Sequence, residues 1–177
     1  MREEDRPAVG ISACLLGQPV RYDGGDKRDA WLTGVLGRTV RYVPVCPEVE
    51  AGFGVPREPI RLERADDGTT RIRHVESRDD VTARLAAWAR ERLAQLEELD
   101  GYVLKAGSPS CGRKGVPVHD EGGRVVDANA GFFAWALRAR WPDLQIVDEE
   151  DLQSRQIRDG FRLAILQHFR ERRIGGA

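Results

Sequence analysis

Two periodicities of apolar residues alternate along this chain. "AVGISAC" is a short apolar run ending at Cys14, "TVRYVPVC" is a second ending at Cys46, and "GYVLKA" is a third. Each reads as a buried strand. Between the first two, "DAWLTGVLG" fits a short helix with Asp29 as N-cap and Gly37 as its stop. "IRLERADDGTTRIRHV" alternates and carries Asp67-Gly68 at its centre, the pattern of a hairpin. From about Val81 to Leu99, the residues Val81, Leu85, Trp88, Leu93 and Leu96 recur at helical spacing, with Asp79 or Asp80 placed to cap. "AGFFAWALRARW" predicts a helix ended by Pro142, and "LQIV" predicts a fourth core strand. Residues 153–170 predict an amphipathic helix striped by Ile157, Phe161, Ile165 and Phe169.

Strands that alternate with helices predict an α/β fold: a mostly parallel sheet flanked by helices on both faces, in three layers, with the hairpin as a small insertion. The chain has 177 residues, which suits one domain over 1–177. Hydrophobic residues make up 41% and charged residues 32%, and the formal net charge of -1 gives no global field for nucleic acid or an anionic membrane. No apolar run approaches a membrane span, and "MREEDRPAVG" lacks the apolar core of a signal peptide. The expected compartment is the cytoplasm.

The predicted topology changes the meaning of the cysteines. Cys14 and Cys46 stand at the carboxyl ends of the first two strands, and Cys111 stands a short loop beyond the third. Parallel strands bring their carboxyl ends to one edge, where ligands of such sheets bind. If the three strands are neighbours, the three thiols converge. The alternative is that each is a small buried apolar residue. The turn-forming surroundings "SACLLG", "VCPEVEAG" and "SPSCG" weigh against it. Disulfides are disfavoured in a reducing cytoplasm, and neither a CxxC pair nor a histidine near a cysteine suggests a zinc finger. Three thiolates without histidine suit iron and sulfur. In a cubane, three protein ligands leave one iron open to act as a Lewis acid. A zinc ion with three cysteines and one open position is the alternative metal reading.

"ISACLLGQPVRYDGGDKR", "VPVCPEVEAGFGVPREP", "KAGSPSCG" and "GFFAWALRARWPDLQIVDEEDL" together resemble the bacterial thiouracil desulfidase family over most of the chain. The resemblance implies a [4Fe-4S] cluster on Cys14, Cys46 and Cys111, with its fourth iron open to substrate. It implies removal of sulfur from a thiolated pyrimidine, with water supplying the replacing oxygen and no net redox. The chain departs from the family in "EAGFGVPREP" and "DANAGFF", where relatives often carry a double glycine with Thr-Pro-Arg, and Gly-x-Gly. The stretch running on to "QSRQIRDGF" is similar to the branch linked to 4-thiouridine in transfer RNA, so thiolated transfer RNA stands beside the small pyrimidine as a partner.

The same resemblance implies catalytic roles for Glu48, in "CPE", and Ser108, the first serine of "SPSC". A partly buried carboxylate can act as general acid or base, and a hydroxyl can orient water or bond a pyrimidine oxygen. Read from the residues alone, Glu48 could instead cap a helix or pair with an arginine, and Ser108 could stabilise a turn. Substrate contacts are expected from Arg21, Tyr22, Asp23 and Lys27 in "VRYDGGDKR", because an aromatic ring and cations suit a planar polar base. Asp23-Gly24-Gly25 also reads as a tight turn in a solvated loop. Arg57 and Lys105 complete the set, as cations that offset the charge of the thiolates or form surface ion pairs. A second class of function is a structural or oxidant-sensing metal site without turnover. A cysteine nucleophile working without metal lacks an obvious base.

Overall fold

The computed structural model describes residues 5–96 and 98–175. Its core is a four-stranded, wholly parallel sheet of β1 (Ala8–Ser12), β2 (Arg41–Val45), β5 (Gly101–Leu104) and β8 (Ile146–Asp148), in the order β2-β1-β5-β8. Every residue of β1 and β5 is buried, which is why both read as near-continuous apolar runs. Successive side chains go to opposite faces. On one face Val45, Tyr102 and Leu104 meet Leu93 of α3 (Thr82–Gln95) and Phe133 and Leu137 of α4 (Phe132–Arg140). On the other, Val9, Ile11 and Val103 meet Leu32 of α1 (Ala30–Gly34) and Phe161 and Ile165 of α5 (Arg155–Gly175). The expected α/β fold with helices on both faces is therefore present. Each fully buried Phe or Leu contributes about 1.5–3 kcal/mol to holding these layers together.

Close approach is built into the core. A Cβ on Gly10 would lie 2.2 Å from the Tyr102 ring, so only glycine lets that ring cross β1. At the amino end of β5, the buried Asp100 carboxylate accepts hydrogen bonds from the Ala8 amide at 2.8 Å, His168 Nδ1 at 3.0 Å and Arg172 Nη2 at 3.0 Å. This ties α5 to the edge of the sheet opposite the cysteines.

The predicted hairpin, β3 (Ile60–Arg64) and β4 (Thr70–His74), is present, but it is half of a second sheet. β6 (Val116–His119) pairs parallel with β3, and β7 (Val125–Asn129) pairs antiparallel with β6, giving the order β4-β3-β6-β7. Leu62, Ile72, Val116 and Val118 pack with Val81 and Leu85, and Phe132 joins this centre to the main core. Among the helices, Asp29 caps α1 as expected, accepting from the Leu32 amide at 2.8 Å, but α1 ends at Gly34 and a 3-10 turn follows. α3 stops at Gln95, short of Leu99, and α5 runs on past Arg170 to Gly175. Among the described residues, no helix is long and apolar enough to cross a membrane.

Candidate functional site

The carboxyl ends of β1, β2 and β5 open into one cavity of about 330 Å³. Cys14, Cys46 and Cys111 all line it. Cys14 lies in the 3-10 turn Ala13–Leu16 directly after β1, and its carbonyl accepts the amides of Gly17 and Lys27 at 3.1 and 2.9 Å. Cys46 is the N-cap of the single-turn helix α2 (Pro47–Glu50), in which Pro47 starts the turn without needing an amide partner. Cys111 closes the loop after β5. There Ser108 Oγ accepts from the Ser110 and Cys111 amides at 3.2 and 3.0 Å, and the Ser108 carbonyl accepts from Gly112 at 2.7 Å.

The charge environment of the thiols is consistent with convergence. Burial pushes Cys14 up to about 11, and Cys46 adds to this while Arg21 and Lys105 pull the other way. Burial also raises Cys46, opposed by the backbone amide of Val49, by Arg57 and by the amide of Glu48. Cys111 is raised furthest by burial and by the two other cysteines, although the Ser12 hydroxyl donates to its sulfur and lowers it. Burial, together with the repulsion that two thiolates would feel, keeps the three thiols protonated by themselves, whereas a bound metal cation draws the protons off. Among the described residues, no three His, Cys, Asp or Glu side chains are grouped tightly enough to hold one metal ion. Three cysteines and no histidine line the cavity, and thiolates without imidazole are the donor chemistry of an iron–sulfur cluster, so the donor set fits the cluster.

Glu48 lies in the first turn of α2 and lines the cavity. Each of its oxygens has a donor: Arg57 Nε reaches Oε2 at 2.8 Å, and Ser110 Oγ reaches Oε1 at 2.7 Å. The arginine pairing and the cavity position therefore hold together. Arg57 also spans the site, with Nη1 donating to the carbonyls of Val20 and Gly54, both at 2.9 Å. Ser108 likewise combines both readings, since it builds the turn and lines the cavity.

Arg21, Tyr22, Lys27 and Lys105 line the cavity with Arg57. Arg21 sits 5.6 Å from the Tyr22 ring centre, and Tyr22 is 41% exposed at the mouth. Lys105 is held by an ion pair to Glu149 and by its own bond to the Ala106 carbonyl. Asp23 is not among the cavity-lining residues. Its Oδ1 accepts from the Gly25 amide at 3.0 Å, a bond that holds the carboxyl below its ordinary value, and the pair forms the tight turn that the sequence suggests. Of the two segments that depart from the family pattern, "GVPREP" reaches the cavity through Arg57 and Pro59. "DANAGFF" instead passes beneath the cysteine loop: the Gly131 amide donates to the Gly112 carbonyl at 2.7 Å and the Phe133 amide to the Ser110 carbonyl at 3.0 Å.

Three residues at the site escaped the sequence reading. Ser12 is buried; it accepts from the Lys105 amide at 3.0 Å and turns its own proton to Cys111. A polar residue closing the apolar run "AVGIS" was its signal. Glu149 follows β8, at the same sheet edge as the cysteines, and accepts from the Ala106 amide at 2.7 Å. Ser110 carried no signal that separates it from Ser108.

Comparison with known proteins agrees with this geometry. An uncharacterized protein of Bacillus subtilis (strain 168), YbbK, is 33% identical over 109 residues, covering 58% of this chain and 71% of its own. The solved structure of the [4Fe-4S]-dependent thiouracil desulfidase TudS matches 89% of this chain and 99% of its own, with 33% identity and a TM-score of 0.64. The 2-thiouracil desulfurase family model spans residues 9–150, from β1 to the loop after β8, and the chain belongs to that family.

Proposed function

We propose that this chain is a desulfidase that replaces the sulfur of a thiolated pyrimidine with oxygen from water, using a [4Fe-4S] cluster. The observation that carries the reading is the convergence of Cys14, Cys46 and Cys111 on one cavity that also holds Glu48 and Ser108. The cluster would be held by the three thiolates and, when bound, supplies an iron without a protein ligand as a Lewis acid for the substrate sulfur. The protein supplies the rest. Glu48 takes a proton from water as its oxygen attacks the ring carbon, and returns one to the sulfide as the carbon–sulfur bond breaks. Ser108 keeps its hydroxyl proton to donate to a pyrimidine oxygen or to water, because its oxygen is already accepting from two amides. Tyr22 offers a face to a planar base at the mouth, flanked by Arg21 and Lys27. Three thiols with no histidine beside them favour a cluster over a single zinc ion.

The test is sulfide release by anaerobically reconstituted protein with 2-thiouracil, 4-thiouracil, 4-thiouridine and thiolated transfer RNA. At least one should yield sulfide and the oxo product in equal amounts. Iron-replete protein that releases none from all four would move the site to the sensing or structural class.

A further inference from the structure

"SPSC" contains two serines that end in different places. Ser108 lines the cavity, whereas Ser110 does not. Ser110 is 1% exposed, and its hydroxyl donates to Glu48 Oε1 at 2.7 Å, linking the loop after β5 to the helix after β2. We infer that Ser110 is a positioning residue that acts through Glu48. This rests on the desulfidase reading, in which Glu48 carries the proton.

A carboxylate held by one donor can swing about that bond. Glu48 has a donor on each oxygen, Arg57 Nε on Oε2 and Ser110 Oγ on Oε1, and the two donors come from different segments. Two such bonds fix the plane of the carboxylate and the direction of its remaining lone pairs, which is the geometric condition for proton transfer. The Arg57 side chain is itself anchored by the Val20 and Gly54 carbonyls. Ser110 is anchored through its backbone, because its carbonyl accepts from Phe133 at the start of α4 and its amide donates to Ser108 Oγ. Neither anchor depends on bound substrate. Ser110 lies outside the cavity, so its hydroxyl acts on substrate through the carboxylate it holds.

The experiment is a double-mutant cycle of Ser110→Ala and Glu48→Gln, assayed with 2-thiouracil or, should it be faster, 4-thiouracil. Substrate binding is followed by its effect on the visible spectrum of the cluster. Removing one hydrogen bond to a charged acceptor should lower kcat by roughly 10- to 100-fold, with KM and iron content unchanged. In the Glu48→Gln background, Ser110→Ala should add nothing. Ser110→Thr, which keeps the hydroxyl, should restore most of kcat. Parental kcat in Ser110→Ala beside an inactive Glu48→Gln protein would overturn this inference and leave the desulfidase reading intact. So would equal slowing by Ser110→Ala in both backgrounds, since the serine would then act independently of Glu48. Glu48→Gln at the parental rate would overturn the role of Glu48 and the inference with it.

Discussion

The two four-stranded sheets differ first in how their strands run. In the sheet β2-β1-β5-β8 all strands are parallel, and its two central strands are wholly buried. In the sheet β4-β3-β6-β7 two of the three pairings are antiparallel, and every residue of the edge strand β7 is exposed. An antiparallel pair spends the end of its first strand on a tight return, as at Gly68, whose amide bonds the Ala65 carbonyl at 2.9 Å. A parallel strand instead releases its carboxyl end into a loop free to take any shape. Cys14, Cys46 and Cys111 all stand on such releases. The mixed sheet gives the cavity only a wall, through Pro59 and Ile60 where β3 begins. Its charged residues meet one another instead: the buried Glu63 accepts from Arg78 at 2.7 Å and from Arg61 at 2.9 Å.

The contrast breaks hardest at the cysteines. Cys14→Ser, Cys46→Ser and Cys111→Ser should each drop iron sharply below the roughly four per chain of a cubane and abolish turnover, as read by iron and sulfide analysis. Full iron in all three variants would show that the parallel edge holds no shared centre. Glu48→Gln comes next. Its iron content should match the parent while kcat falls about 100-fold or more. Ser108→Ala should cost less, with part of the loss in KM, because this hydroxyl faces the cavity.

The smallest kinetic effect is expected in the mixed sheet, where the signature is stability. Burial alone would raise the Glu63 carboxyl, but hydrogen bonds from Arg78 and Arg61 overcome it and hold the group below its ordinary value of 4.5. A depressed carboxylate stabilises the fold fully above its unfolded value, and that contribution is lost as pH falls through the lower, folded value. Glu63→Gln should therefore unfold at lower urea than the parent at pH 7, by about 1–3 kcal/mol. The gap should close as pH drops below about 4.5, and kcat should not change. A Glu63→Gln protein with lost turnover would tie the mixed sheet to the chemistry and erase the contrast.

What could be read from the sequence follows the same division. β1 and β5 announce themselves because burial on both faces demands unbroken apolar runs, while the edge strand β2, with only Val45 buried, is read from the valines and tyrosine of "TVRYVPVC"; from these three strands the meeting of the cysteines follows. β6 is hidden by Pro117 and by its length of four residues, and β7 by Asp127, Asn129 and the absence of any buried position. The pairings of Glu48 could be named only as alternatives, because Arg57 and Ser110 reach it across turns whose shapes are set by the assembled fold. The separation of Ser108 from Ser110 is of the same kind. Two identical side chains differ only in which way the loop turns them.

That loop has a further consequence, through Gly131. A Cβ at this position would come 2.6 Å from the Ser110 carbonyl group, so the start of α4 lies flush against the underside of residues 108–112. The Gly112, Gly131 and Phe133 amides donate to the Ser108, Gly112 and Ser110 carbonyls of that loop. The backbone that presents Cys111 is thus fastened from below by main-chain bonds, like the rim of a mould. Under the proposed cluster reading, binding energy gained at that thiolate need not be spent on ordering its loop, and it goes instead into affinity.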